Sequence, residues 1–89
     1  MNIEDRLNAI NNVYEKPQVF KTVLDNGNIE YRNNKGELHS ENDQASFISF
    51  DEKTKAWYKN GLPHRDNDKP AIIRYNGLEE YWENGVRIR

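Results

Sequence analysis

Residues 57–75 read Trp57-Tyr58-Lys59-Asn60-Gly61-Leu62-Pro63-His64-Arg65-Asp66-Asn67-Asp68-Lys69-Pro70-Ala71-Ile72-Ile73-Arg74-Tyr75. Both halves of this stretch recur. Trp57-Tyr58-Lys59-Asn60-Gly61-Leu62 returns further along as Tyr81-Trp82-Glu83-Asn84-Gly85-Val86. His64 to Tyr75 is anticipated by His39-Ser40-Glu41-Asn42-Asp43-Gln44-Ala45-Ser46-Phe47-Ile48-Ser49-Phe50. Glu30-Tyr31 and Glu80-Tyr81 each follow an Asn-Gly pair at matched spacing. Such a period marks stacked repeats, each of which buries its apolar side chains against its neighbours.

The turns say what each repeat is made of. Four of the five glycines directly follow asparagine, at Asn26-Gly27, Asn60-Gly61, Asn76-Gly77 and Asn84-Gly85; the fifth is in Lys35-Gly36. Asn-Gly suits the two-residue type I′ hairpin loop, in which both positions need positive φ. The spacing of the glycines places another turn near residue 52, where Asp51-Glu52-Lys53 reads as a substituted turn one residue longer. Each unit is then an aromatic strand, an Asn-Gly turn, a short return strand, a polar elbow and an apolar strand. The expected strands are Gln18–Leu24, Ile29–Arg32, Ser46–Phe50, Lys55–Tyr58, Ala71–Tyr75, Glu79–Trp82 and Val86–Ile88.

The first residues follow a different period. Ile3, Leu7, Ile10 and Tyr14, with Val13, form one helical stripe. Asn2 can cap it, Glu4 and Asp5 suit its N-terminal end, and Pro17 stops it. The pattern predicts a helix over 3–15, too short to stand alone in water, that docks on its own sheet or, as the alternative, on a partner. The expected fold is therefore mainly β within an α+β class. It is an antiparallel meander of stacked Asn-Gly hairpin repeats with one N-terminal α-helix. The whole of 1–89 is one domain, and 18–89 is divided into repeats of about 24–25 residues.

Composition bounds the rest. The 89-residue chain is 31% charged and 35% hydrophobic, with a mean hydropathy of −1.12. Leu, Ile, Val and Phe number only 19, close to the level at which disorder becomes the default. Aromatics offset this at 11%, since each buries more area than an aliphatic side chain. There is no cysteine, which excludes disulfides and thiolate chemistry. No apolar run approaches membrane-spanning length, and the opening residues do not read as a secretory signal. A cytoplasmic location is the expectation.

The pattern Trp/Tyr-Tyr/Trp-x-Asn-Gly followed by His-Arg-x-Asn-x-x-Pro-Ala-Ile-Ile resembles the short repeats of MORN-type and YwqK-type antitoxin-like proteins. It is similar above all to the variant in small proteins of large-genome bacteriophages and giant viruses. The resemblance covers Asn26 to Arg89. It implies a sheet of β-hairpin repeats that serves protein contact, in some cases toxin neutralisation. Fewer glycines occur here than in the standard MORN unit, so lipid roles are not carried over, and no membrane partner is expected.

No catalytic residue, metal site or cofactor is expected. His39 and His64 hold equivalent repeat positions. Repetition in step with a scaffold points to imidazoles that hydrogen-bond their own elbows rather than to ligands or bases. The elbows Glu41-Asn42-Asp43 and Asp66-Asn67-Asp68 lack the glycine and terminal glutamate of a calcium loop, and read as Asx turns. No phosphate loop, nucleophile elbow or His-Glu-x-x-His motif is present.

The net charge of −2 hides an uneven distribution. Residues 1–52 carry 5 Lys/Arg against 10 Asp/Glu; residues 53–89 carry 8 against 5. Two contact surfaces follow. One groups Trp57, Tyr58, Arg65, Arg74, Tyr81, Trp82 and Arg87, the aromatic and arginine types that dominate protein-binding hot spots. The other is acidic, at Glu41, Asp43, Asp51 and Glu52. The expected function is a non-enzymatic, phage-type accessory protein that occludes a host or viral protein such as a toxin or defence factor. The alternative is an RNA- or single-stranded nucleic-acid-binding regulator that uses the basic and aromatic C-terminal surface. An open meander has two edges, which also permits a homodimer.

Overall fold

In the computed structural model, residues 18–89 are described. Ten short strands make up all of their regular structure: β1 Phe20–Val23, β2 Ile29–Arg32, β3 Phe47–Ile48, β4 Lys55–Ala56, β5 Tyr58–Lys59, β6 Leu62–Pro63, β7 Ile72–Ile73, β8 Glu79–Glu80, β9 Trp82–Glu83 and β10 Val86–Arg87. No helix occurs among the described residues, so the α+β assignment is corrected to all-β there. The helix expected over 3–15 lies outside the described residues.

The strands do not form one meander either. Six of them build a sheet in the order β1-β2-β3-β4-β7-β8, while β5-β6 and β9-β10 are separate two-stranded hairpins. Every pair is antiparallel. The expected strand Lys55–Tyr58 is broken at Trp57, and Glu79–Trp82 at Tyr81. The break at Trp57 has a visible cause. The Ser46 amide donates to the Ala56 carbonyl at 2.8 Å, but the next contact on that side is made by a side chain. Tyr58 N–H donates to Ser46 Oγ at 2.9 Å, which ends the backbone ladder and turns β5 off the sheet.

The repeat is real in three dimensions. β7 is the counterpart of β3, and β8, β9 and β10 are those of β4, β5 and β6. The step from β3 to β7 is one residue longer than the other three. That extra residue sits in the β3–β4 turn, which closes from Ser49 to Thr54, whereas the β7–β8 turn closes from Arg74 to Leu78. Antiparallel order then sorts the connections. The three tight turns β1–β2, β3–β4 and β7–β8 lie at one end of the sheet. The hairpins, histidines and elbows lie at the other.

Turn chemistry follows the sequence with one refinement. Asn60-Gly61 (φ 49 and 81) and Asn84-Gly85 (φ 48 and 81) are type I′ loops, as expected. At Asn26-Gly27 and Asn76-Gly77 only the glycine has positive φ, at 91 and 89. These are three-residue loops in which a left-handed glycine completes the turn. Glu52, at φ 62, takes the same place in the β3–β4 turn. The substituted turn anticipated near residue 52 is present, and an ordinary side chain occupies a glycine's conformation there.

Little is buried. Ala45, Ala56, Trp57, Ala71 and Ile72 are the buried apolar residues among those described, with His39, Ser46 and Glu80 as buried polar ones. The fully covered positions, Ser46 and Ala71 at 0% exposure, are equivalent in the repeat. Both take a small side chain where a hairpin folds back over the sheet. Order therefore depends on polar joints between units as much as on apolar burial.

Candidate binding surfaces

The joints occupy the hairpin end. His39 Nδ1 accepts the backbone N–H of Asn60 at 2.9 Å, and His64 Nδ1 accepts that of Asn84 at 3.0 Å. Each acceptor role places the ring proton on Nε2, which bonds the residue two along, Glu41 for His39 and Asp66 for His64. The Gly61 amide donates to the Leu38 carbonyl and the Gly85 amide to the Pro63 carbonyl, each at 2.9 Å. Each type I′ turn is thus held by the preceding hairpin through two amides. The imidazoles bond their own elbows as expected and also clip the next unit's turn. Both ring nitrogens of each histidine are engaged in the scaffold.

A second joint repeats beside the first. Arg65 lies over the Trp57 ring with its guanidinium carbon 3.7 Å from the centroid. It reaches Asp43 through Nε–Oδ1 at 2.9 Å and Nη2–Oδ2 at 3.1 Å, and donates to the Pro70 carbonyl. Lys69 adds a bond to Asp43 at 3.2 Å, and Trp57 Nε1 donates to the Asp43 carbonyl at 2.9 Å. The hydrogen bond from Arg65, with help from Lys69, holds the Asp43 carboxyl down at about 2. One unit later Arg89 covers the Tyr81 ring at 4.0 Å and pairs with Asp68.

These contacts redistribute the residues singled out from the sequence. Trp57 is buried, and one face of its ring is covered by Arg65. Tyr81 carries Arg89 in the same way. Arg74 lies at the tight-turn end and reaches the buried Glu80, Nε to Oε2, at 2.7 Å. Trp82 Nε1 donates to the other Glu80 oxygen at 3.0 Å. The Arg74 bond, then the Trp82 bond, lowers the Glu80 pKa below the usual carboxylate range. Arg87 donates to the Arg89 carbonyl and is exposed. Tyr58 is half-buried and lines a small cleft of about 80 Å³ against Ser40, Asn42, His64 and Asp66.

The four acidic residues do not form one surface. Glu41 and Asp43 belong to the elbow that precedes β3, and Asp51 and Glu52 to the turn that follows it. Asp51 accepts the Ser49 hydroxyl at 2.6 Å and the Lys53 amide at 3.0 Å, which lower its pKa. The elbows also differ from the expected Asx turns. Asn42 and Asp43, and again Asn67 and Asp68, all have positive φ, and the Gln44 amide closes on the Glu41 carbonyl at 3.1 Å. The elbow aspartates are turned outward to the arginine of the next unit instead of to loop amides.

At the opposite end the structure exposes side chains that the sequence placed inside strands. Phe50 and Tyr75, equivalent in the repeat, are 71% and 74% exposed at the tips of the β3–β4 and β7–β8 turns, and Leu78 is 61% exposed. Two strand spacings separate adjacent turns, about 10 Å. The matched aromatic position was visible in the sequence. The shortness of the strands, which end at Ile48 and Ile73, was not.

Among the described residues, an all-β arrangement of repeated hairpins joined by histidine clips and arginine–aromatic stacks is the class that this fold defines. No family model matches the chain, and no solved structure matches it, so the likeness to MORN-type and YwqK-type repeats is carried by the quoted residues alone. Over 51 residues the chain is 43% identical to a protein of Acanthamoeba polyphaga mimivirus described as "Uncharacterized protein L111". That stretch covers 57% of this chain and 14% of the mimivirus protein. The chain therefore matches about a seventh of its relative's length. Among the described residues, no helix is long and apolar enough to cross a membrane.

Proposed function

We propose that the chain is a non-enzymatic viral accessory protein that binds and occludes a host protein. The observation that supports this most is the exposed pair Phe50 and Tyr75 with Leu78 at the turn tips. Aromatic side chains held in solvent by rigid turns lose little entropy on docking, and exposed apolar clusters of this kind mark contact sites. The likeness to a giant-virus protein supports a viral setting. The engagement of both nitrogens of His39 and His64 favours a scaffold role over a catalytic one.

The nucleic-acid alternative draws less support. Arg65, Arg74 and Arg89 each face a carboxylate, which neutralises the charge that phosphate binding needs. Of the residues expected to contact a partner, Tyr58, Trp82 and Arg87 keep surface at the hairpin end and form the secondary face of the proposal.

The test is affinity capture from nuclease-treated host lysate with the native chain beside a Phe50→Ala/Tyr75→Ala/Leu78→Ala variant of unchanged circular dichroism. A stoichiometric protein retained by the first and lost by the second is the expected result. Equal retention by both moves the contact off the turn tips, and retention of nucleic acid alone at low salt selects the alternative.

A further inference from the structure

We infer that Asn84 is a site of spontaneous covalent modification, deamidation to aspartate and isoaspartate, and that its conversion releases the β9–β10 hairpin. Asparagine before glycine is the reactive pair for this chemistry, because a residue without a side chain leaves its amide nitrogen open to close approach. The Gly85 nitrogen attacks Asn84 Cγ. A C–N bond forms there and the Cγ–Nδ2 bond breaks. Nδ2 leaves as ammonia, with the proton that the Gly85 nitrogen gives up. Water then opens the five-membered imide. Cleavage at Cγ yields aspartate. Cleavage at the backbone carbonyl of residue 84 routes the chain through the side chain and yields isoaspartate.

The fold treats the four Asn-Gly pairs differently. In each the glycine amide donates to a carbonyl: Gly27 to Leu24, Gly77 to Arg74, Gly61 to Leu38 and Gly85 to Pro63. The attacking nitrogen is thus engaged, and reaction runs through a locally opened turn. Asn26 and Asn76 also hold the amides of Asn28 and Leu78 on Oδ1, at 2.9 and 3.2 Å, in turns of the six-stranded sheet. Asn60 Oδ1 accepts Asn33 Nδ2 at 3.1 Å. Among the described residues, Asn84 has its backbone clip to His64 Nδ1 and no hydrogen bond to its carboxamide. That clip is also the less shielded one, since the His64 side chain is 12% exposed against 4% for His39.

The repeat adds to the difference. The β5–β6 hairpin is clipped by His39 and in turn clips Asn84 through His64, so it is tied on both sides. Ile88 takes the place of these histidines in the β9–β10 hairpin: its amide donates to the Tyr81 carbonyl as that of His64 does to Trp57. An isoleucine has no ring nitrogen with which to hold a further turn. Asn84 therefore sits in the hairpin that opens most readily. Isoaspartate there places one more backbone atom between two amides held by successive residues, Asn84 by His64 and Gly85 by Pro63. Both bonds cannot survive that change. The hairpin that carries Trp82 and Arg87 is let go, while the turn tips at the other end are untouched.

Incubation of the native chain at mildly alkaline pH, followed by tandem mass spectrometry that separates aspartate from isoaspartate, tests the site. Asn84 is expected to convert first, about tenfold faster than Asn60, the effect of one additional hydrogen bond on the open population. In urea the Asn-Gly pairs should react at similar rates. His64→Ala, with folding checked by circular dichroism, should speed conversion of Asn84 and leave Asn60 unchanged. The purified isoaspartate form should melt below the native chain, whereas Asn84→Asp, which adds the same charge without the backbone atom, should melt close to it. Conversion of Asn60 as fast as Asn84 in the folded chain, or the same order of sites in urea, overturns the assignment of the site. An isoaspartate form that melts with the native chain overturns the release.

Discussion

His39 Nδ1 accepts the backbone N–H of Asn60 at 2.9 Å, across 21 residues of sequence and from one hairpin to the next. His39 is 3% exposed, so the bond is shielded from water. His39→Ala leaves the Asn60 amide without its acceptor and opens a hole beneath the type I′ turn. Unfolding in urea should show a loss of about 2–3 kcal/mol. His39→Asn, whose Oδ1 can stand near the position of Nδ1, should recover part of that loss. A wild-type midpoint for His39→Ala would deny the clip its role.

Glu52 holds φ 62 where Gly27 and Gly77 hold 91 and 89. A side chain in left-handed backbone carries strain that glycine does not. Glu52→Gly should stabilise the protein by about 0.5–1 kcal/mol, after allowance for the freer unfolded glycine. A thermal melt shifted downward would contradict this account of the turn.

Gly27 and Gly77 separate strain from crowding. Each has the same place in its turn, but a Cβ at Gly77 meets nothing within 4 Å, whereas one at Gly27 lies 2.9 Å from the Phe50 Cβ. Gly77→Ala should cost about 1 kcal/mol through φ alone. Gly27→Ala should cost about 1–2 kcal/mol more through the contact. Equal melting temperatures for the two variants would refute the distinction.

Acid should loosen the joints in a defined window. Asp43 is held at about 2 by Arg65, against about 3.9 for an unfolded aspartate. A carboxyl whose folded pKa is depressed stabilises the fold above its unfolded value and loses that contribution as pH falls toward the folded one. Asp51, lowered mainly by the Ser49 hydroxyl, and Glu80, lowered mainly by Arg74, act in the same direction. Stability should therefore drop from about pH 4 down to about pH 2. Asp43→Asn should flatten that slope and lower stability at neutral pH. Denaturant titrations at a series of pH values measure both.

Trp57 and Phe50 should behave oppositely. Trp57→Ala removes a buried ring, the Arg65 stack and the Asp43 bond together, a cost of about 3–5 kcal/mol. Phe50→Ala removes a side chain that is mostly in water and should stay within about 0.5 kcal/mol of wild type. Equilibrium unfolding of the pair distinguishes a residue that holds the fold from one free to meet a partner.

Much of this architecture was legible because it is local. Asn-Gly pairs declare their φ requirements within two residues, so the hairpins and even the altered turn at Glu52 could be placed from spacing. The matched histidines announced a structural role because they recur with the scaffold. The contact residues were harder. Arg65 and Asp43 are 22 residues apart, and nothing near either one shows that they meet. Phe50 and Tyr75 looked like strand ends because apolar type alone does not say where a ladder stops.

By itself the sequence determined the hairpins, their period and the small residues at Ser46 and Ala71, since each depends on backbone freedom or volume at a single position. Tertiary structure alone decided the strand order, the break at Trp57, the pairing of the arginines and the exposure of the turn tips. Those follow from which units lie side by side. That adjacency comes from amides and side chains far apart in the chain, through bonds such as Asn60 to His39 that exist only once the repeats have stacked.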